Sequence, residues 1–81
     1  MMKMYVVCME DHSGYAVEVF TSEVMAREFI TEDINQICQI IEDDNFEWVR
    51  RDGNYFWEVY VPDSNIFYEW TLSETELRGE V

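Results

Sequence analysis

A single amphipathic helix among segments with β-strand patterns constrains most strongly what this chain can fold into. Apolar residues recur at steps of three and four from Ala26 to Ile41, which is the spacing of one helix face. Thr21 or Ser22 can supply the N-cap, and Glu23 suits the first turn, so we predict a helix that ends at about residue 42. The apolar stripe consists of Ala26, Phe29, Ile30, Ile34, Ile37, Cys38 and Ile41.

The remaining segments are rich in β-branched and aromatic residues. Their side chains can alternate between two faces, and turn signals separate one segment from the next. Asp52-Gly53 between two such segments is a strong hairpin signal. The predicted strands are 4–9, 15–20, 46–51, 55–61 and 66–72, with turns at 10–14, 52–54 and 62–65. The order ββαβββ predicts an α+β fold in which one antiparallel sheet packs on one amphipathic helix. We expect one domain over residues 1–81, with a short helical turn and a frayed acidic end at 73–81.

One helix covers only one face of a sheet, so the other face of the predicted sheet has no partner. Strand alternation separates the two faces of the last three strands. The inward set is Trp48, Tyr55, Trp57, Val59, Val61, Ile66, Tyr68, Trp70 and Leu72. The outward set is Glu47, Phe56, Glu58, Tyr60, Phe67 and Glu69. The opposite assignment of strand 55–61 would bury Glu58. Exposed aromatic residues among charges mark an interaction site, unless long side chains, the segment 73–81 or a second copy covers them.

The charge of the chain restricts its partners. The formal net charge is −13, yet 48% of the residues are hydrophobic and three Trp, five Tyr and five Phe are available for a core. This composition indicates a folded domain with a strongly negative surface rather than a disordered acidic tail. Direct binding to phosphate backbones is disfavoured, and binding to a protein that itself binds nucleic acid is favoured. Rows of carboxylates on a strand or helix can imitate phosphates to a basic groove.

Several acidic residues break the local rules of helix stability. Glu28 and Glu32 are like charges four residues apart, and Glu42-Asp43-Asp44 lie at the helix C-terminus, where the dipole prefers cations. Residues that lower helix stability without an evident compensating interaction tend to lie at functional sites. The predicted partner-binding residues are therefore Glu28, Glu32, Glu42, Asp43, Asp44, Glu47, Phe56, Glu58, Tyr60, Phe67 and Glu69.

Catalytic and metal-binding patterns are weak. Cys8 and Cys38 match no zinc or CxxC spacing, and a disulfide between them requires that strand and helix bring them within reach. Residues 43–47 lack the EF-hand spacing, and His12 is most simply a solvated side chain. We expect no enzymatic activity, no catalytic residue, no cofactor and no metal.

The apolar start is too short for a secretory signal and no segment reaches membrane-span length, so we expect a cytoplasmic protein without a membrane partner.

Three short segments resemble a hairpin-to-helix pattern found in small proteins of phages and mobile elements. They are Lys3-Met4-Tyr5-Val6-Val7, Val19-Phe20-Thr21-Ser22-Glu23 and Ala26-Arg27-Glu28-Phe29-Ile30. The size, acidity and aromatic content are also similar to those of anti-CRISPR and anti-restriction proteins, a functional grouping without a common fold or motif. That resemblance implies a phage-encoded inhibitor, acting in the cytoplasm of the infected bacterial host, that occupies the nucleic-acid site of a defence nuclease or its RNA-guided complex.

Two other hypotheses remain open from the sequence. One is a small homodimeric structural or regulatory module whose sheet faces pair through Phe56 and Phe67. The other is a protein that sequesters a ligand or binds a metal.

Overall fold

The structure, a computed structural model, describes residues 2–77 and has the predicted element order. Its elements are β1 (Met2–Asp11), β2 (Gly14–Phe20), α1 (Glu23–Asp43), β3 (Val49–Asp52), β4 (Phe56–Tyr60) and β5 (Phe67–Leu77). All neighbouring strands are antiparallel, and their order across the sheet is β2-β1-β5-β4-β3. The predicted α+β class, one helix on one antiparallel sheet, is confirmed.

Helix α1 begins and ends close to the predicted residues. The Ser22 hydroxyl accepts a hydrogen bond from the Met25 amide at 3.3 Å, which identifies Ser22 as the N-cap. The helix ends at Asp43 with Asp44 as the C-cap, and its last turn carries no basic residue. Its core-facing positions are the predicted stripe: Ala26, Ile30, Ile34, Cys38 and Ile41 are buried, and Phe29 and Ile37 are partly buried.

Beneath the helix, the sheet contributes the other half of the core. The buried sheet residues are Val7, Val59, Val61, Trp70 and Leu72. Trp70 is only 2% exposed, and its indole Nε1 donates a hydrogen bond to Asp33 Oδ2 of α1 at 2.8 Å. Arg27 of α1 lies 5.3 Å from the ring centre of Tyr55 and donates to the Asn54 carbonyl at 2.9 Å. Helix and sheet are therefore joined by polar contacts as well as by apolar packing.

Two tight turns set the strand register. Asp11 Oδ1 accepts hydrogen bonds from both the amide and the hydroxyl of Ser13 at 2.7 Å, and Gly14 follows with φ 151°. In the second turn the Gly53 amide donates to the Phe56 carbonyl at 2.8 Å. A Cβ at Gly53 would lie 2.7 Å from that carbonyl oxygen, so only glycine fits there without a shift of the backbone.

Three of the predicted strands, those at 4–9, 46–51 and 66–72, have boundaries that differ from the structure by two residues or more. Residues 46–48 were expected in a strand, but they precede β3, because the Phe46 amide donates to the Ile41 carbonyl at 3.1 Å and continues the helix end. Residues 73–77 were expected to form a short helical turn at the start of a frayed acidic end. They continue β5 instead, because β1 begins at Met2 and supplies the pairing strand. β1 also continues to Asp11, so residues 10 and 11 belong to a strand and not to the turn. The rest of that expected acidic end, 78–81, lies outside the described residues.

Candidate functional site on the outer face of the sheet

We use the term outer face for the side of the sheet turned away from α1. Within residues 2–77 no helix or loop covers this side. The register places Phe56, Glu58 and Tyr60 of β4 on it, together with Phe67 and Glu69 of β5, as strand alternation predicts. The outer face is thus the surface on which the predicted aromatic and acidic residues come together.

A row of three carboxylates crosses the middle of the outer face. Glu10 of β1 lies opposite Glu69 of β5, which lies opposite Glu58 of β4. We call Glu10, Glu69 and Glu58 the carboxylate row. Because adjacent strands lie about 4.8 Å apart, the row spans roughly 10 Å. At its β3 end Arg51 lies opposite Glu58, with 3.7 Å between Arg51 Nε and Glu58 Oε1.

The carboxylate row is unfavourable for the isolated fold. Like charges directly opposite each other on a sheet destabilise it by up to about 1 kcal/mol per pair. The Leu72 amide donates to the Tyr55 carbonyl, and this fixes Glu58 and Glu69 as a non-hydrogen-bonded pair, in which side chains approach most closely. Arg51 compensates little, because its side chain is 70% exposed and surface ion pairs are weak. Residues that lower the stability of the fold, as these carboxylates do, tend to lie at functional surfaces.

Aromatic side chains border the carboxylate row on both sides. Tyr60 and Phe67 lie opposite each other on one side, and Phe56 lies opposite Thr71 on the other. Phe56 is 43% exposed, while Tyr60 and Phe67 are half-buried by their neighbours. Rings beside charges combine apolar contact area with electrostatic selectivity, which is the composition of protein interfaces.

The turn between β1 and β2 places an imidazole ring at the border of the outer face. His12 Nδ1 lies 3.4 Å from the Phe67 carbonyl oxygen, and the imidazole contacts the rings of Phe67 and Tyr68 edge-on. The side chain is exposed, as expected from the sequence, but it also packs against two aromatic rings.

Apart from Glu10, the other half of the outer face, formed by β1 and β2, is apolar. Cys8 lies opposite Val17, and Val6 lies opposite Val19. Val17 is 47% exposed and Val19 is 50% exposed. The outer face therefore has an acidic and aromatic half over β5 and β4, and a half over β1 and β2 that is apolar except for Glu10 at the end of the carboxylate row.

The remaining predicted binding residues lie elsewhere on the molecule. Glu28 and Glu32 are exposed on α1, so the sheet separates them from the carboxylate row. Glu42 accepts a hydrogen bond from Trp48 Nε1 at 3.2 Å, and Asp43 accepts one from Gln39 at 3.0 Å. The residues that do not join the outer-face group are Glu28, Glu32, Glu42, Asp43 and Asp44 of the helix layer and Glu47 of the segment before β3.

One member of the row, Glu10, was missed because residues 10–14 were assigned to a turn. The signal in the sequence is the continued alternation of Val6, Cys8 and Glu10 up to a turn of only two residues, His12 and Ser13. An Asx turn closed by Asp11 makes such a short connection feasible.

The cysteines do not form a pair. Cys8 lies on the outer face, whereas Cys38 is buried between helix and sheet, and both are free thiols. Burial raises the pKa of the Cys38 thiol, which lowers its reactivity. The possible disulfide is therefore ruled out by the position of the sheet between the two residues.

The described part of the chain offers little for a bound ion or cofactor. No group of three or more His, Cys, Asp or Glu side chains within residues 2–77 is arranged to hold a metal ion. A cleft of about 420 Å³ beside the β1–β2 turn is lined by Asp11, Asp33 and Tyr68 among others. Asp33 already accepts the Trp70 hydrogen bond, and burial raises the pKa of the Tyr68 hydroxyl.

No protein-family model, curated protein or solved structure matches this chain. Among the described residues, no helix combines the length and apolarity that crossing a bilayer requires.

Proposed function

We infer that this chain is a non-enzymatic inhibitor that binds a basic surface of a nucleic-acid-binding protein and blocks its engagement with nucleic acid. The observation that carries this proposal is the carboxylate row, three like charges kept side by side on an uncovered sheet face. A basic surface on a partner would relieve the repulsion within the row, so binding gains energy from an arrangement that weakens the free fold.

The spacing of the row suits a site built for phosphates. Its carboxylates repeat at about 4.8 Å, the distance between strands, and phosphates along one DNA strand rise by about 3.4 Å per step. Because Lys and Arg side chains are long and flexible, a surface that binds phosphates can also reach the members of the row. The formal charge of −13 extends the attraction beyond contact range, so we expect an association rate that falls as salt rises.

The aromatic residues beside the row would supply affinity. Phe56, Tyr60 and Phe67 present rings that lose water when a partner covers them, and such rings dominate binding energy at interfaces. Charge then selects and steers the partner, while the rings slow its release.

The class of target follows from the resemblance to small acidic phage proteins. A host defence enzyme that binds nucleic acid, either a nuclease or its RNA-guided complex, presents the basic groove that the outer face fits. We therefore propose a phage-encoded inhibitor of the anti-CRISPR or anti-restriction kind, acting in the host cytoplasm.

The test compares two double variants with equal charge changes on opposite sides of the sheet. Glu58→Lys with Glu69→Lys reverses two members of the row, and Glu28→Lys with Glu32→Lys reverses two exposed helix residues. Each double variant shifts the net charge by +4, from −13 to −9, so both variants have the same net charge. Tagged wild-type protein and both variants are used to capture proteins from a lysate of a defence-carrying bacterium, with mass spectrometry as the readout and circular dichroism as the check of folding.

We expect the wild type and the helix variant to retain a nucleic-acid-binding protein that added DNA or RNA releases. The folded sheet variant should lose it. Equal retention by both variants would reject the outer face as the binding surface, because total charge alone would then explain capture.

A further inference from the structure

Within residues 2–77, no other strand pairs with the outer edge of β2. β2 is an edge strand of seven residues, and all of them except Phe20 are exposed. Proteins usually blunt such edges with charges, proline, bulges or very short strands. The opposite edge, β3, is protected in this way, since it has four residues and includes Arg50, Arg51 and Asp52. In β2 the one charged residue is Glu18.

The free hydrogen-bonding groups of this edge belong to Tyr15, Val17 and Val19. The Leu72 amide donates to the Tyr55 carbonyl on the β4 side, so Thr71 directs its backbone groups to Cys8 of β1, and Cys8 directs its own away from Val17. Hydrogen-bonded and non-hydrogen-bonded pairs alternate along an antiparallel ladder. Tyr15, Val17 and Val19 therefore direct their amides and carbonyls away from β1. Their side chains, exposed by 77%, 47% and 50%, lie on the apolar half of the outer face.

We propose that β2 pairs antiparallel with β2 of a second copy of this chain, about a two-fold axis at Val17. In this register Val17 lies opposite its own copy, Tyr15 lies opposite Val19, and all three free residues meet as hydrogen-bonded pairs. Glu18 lies opposite Ala16, so no like charges face each other across the new pair. The result is a continuous sheet of ten strands.

Charge identifies a second copy as the occupant. A chain with a net charge of −13 repels itself, so self-association needs a neutral strip. Residues 12–22 provide that strip, since they include one acidic residue and no Lys or Arg. A basic partner would instead be drawn to the carboxylate row, which lies on other strands.

The dimer has a defined consequence for the outer face. A two-fold axis perpendicular to the sheet keeps both helices on one side and both carboxylate rows on the other. The two Glu69 residues are then separated by five strand spacings, or about 24 Å across the strands. This inference stands on the β2 edge and does not depend on the inhibitor proposal.

The dimer should be weak and should tolerate salt. Pairing one short strand falls in the class of small interfaces below about 1,200 Å², which form weak complexes. Salt screens the repulsion between the two acidic copies, so dimerisation should strengthen as salt rises, the opposite of binding through the carboxylate row.

Sedimentation equilibrium of the full chain, over a concentration series at low and high salt, tests the proposal. Val17→Lys places two like charges on the two-fold axis and should weaken the dimer at least about tenfold, which corresponds to 1.4 kcal/mol. Val17→Thr keeps a β-branched residue and should dimerise like the wild type. Phe56→Ser, on the other half of the outer face, should also dimerise normally.

Hydrogen exchange read by nuclear magnetic resonance provides a test without substitution. The amides of Tyr15, Val17 and Val19 should exchange more slowly as the protein concentration rises, while Ala16 and Glu18, already paired with β1, should not change. A wild type that is monomeric throughout the series would overturn the proposal, and so would a dimer that survives Val17→Lys. A dimer lost in Phe56→Ser would show pairing of sheet faces instead.

Discussion

Trp70 is the side chain on which both layers of the fold depend. It is buried at the centre of the sheet, and its indole nitrogen is bonded to a carboxylate of the helix. The other tryptophan that bonds a helix carboxylate, Trp48, does so at the exposed C-terminal end of α1. Both hydrogen bonds join an indole nitrogen to a carboxylate, but Trp70 is buried and Trp48 is only partly buried.

We expect Trp70→Phe to lower the free energy of unfolding by about 2–3 kcal/mol, because it leaves Asp33 without its donor and removes buried volume. Trp48→Phe is the matched control and should cost about 1 kcal/mol or less. Urea unfolding followed by circular dichroism measures both. If both variants lost the same free energy of unfolding, the hydrogen bond from Trp70 to Asp33 would stabilise the fold no more than the one from Trp48.

Asp11 gives the β1–β2 turn a pH dependence. Hydrogen bonds from the Ser13 hydroxyl and amide lower the pKa of Asp11 below its ordinary value of 3.8. A lowered folded-state pKa means that the stabilisation is complete above the ordinary value and is lost as pH falls through the lowered one.

Asp11→Asn keeps an acceptor for Ser13 but removes the titration. The difference in unfolding free energy between wild type and variant should be constant above about pH 5 and should shrink as pH falls further. Because both proteins share every other carboxylate, their difference isolates Asp11. A difference that stays constant down to the acid transition would contradict this assignment.

At the level of elements, α1 combines a strong apolar stripe with an exposed face that is not optimised for stability. Glu28 and Glu32 repel each other one turn apart, and acidic residues occupy the last turn. Neither feature joins the carboxylate row, so removing it should improve stability without loss of the proposed binding.

Glu32→Lys turns the repulsion with Glu28 into an i,i+4 ion pair of the favourable orientation. We expect a gain of about 0.5–1 kcal/mol in thermal or urea unfolding. Glu32→Gln, which removes only the repulsion, should gain about half as much. No gain in either variant would mean that solvent already screens the pair.

The elements also show how far the sequence determines the site. The stripe from Ala26 to Ile41 predicts the helix, and the Asp52-Gly53 signal with strand alternation predicts the faces of β4 and β5. The carboxylate row was not predictable in full, because Glu10 becomes its third member only when β1 pairs with β5. The separation of Glu28 and Glu32 from the row likewise depends on which face of the sheet the helix covers.

At the level of the whole molecule, one helix on a five-stranded sheet leaves two different surfaces available. The acidic half of the outer face should bind a basic partner and weaken with salt. The open β2 edge should bind a second copy and strengthen with salt. Opposite responses to salt allow the two associations to be separated in one protein.

We expect the carboxylate row and nucleic acid to compete for the same basic surface of the partner. The measurement is the fluorescence anisotropy of labelled nucleic acid bound to the captured partner, titrated with wild-type chain, the Glu58→Lys/Glu69→Lys variant and the Glu28→Lys/Glu32→Lys variant. We expect the wild type and the helix variant to displace the nucleic acid, and the sheet variant to need at least about tenfold more protein. A ternary complex, in which the chain binds its partner while the nucleic acid stays bound, would contradict the claim.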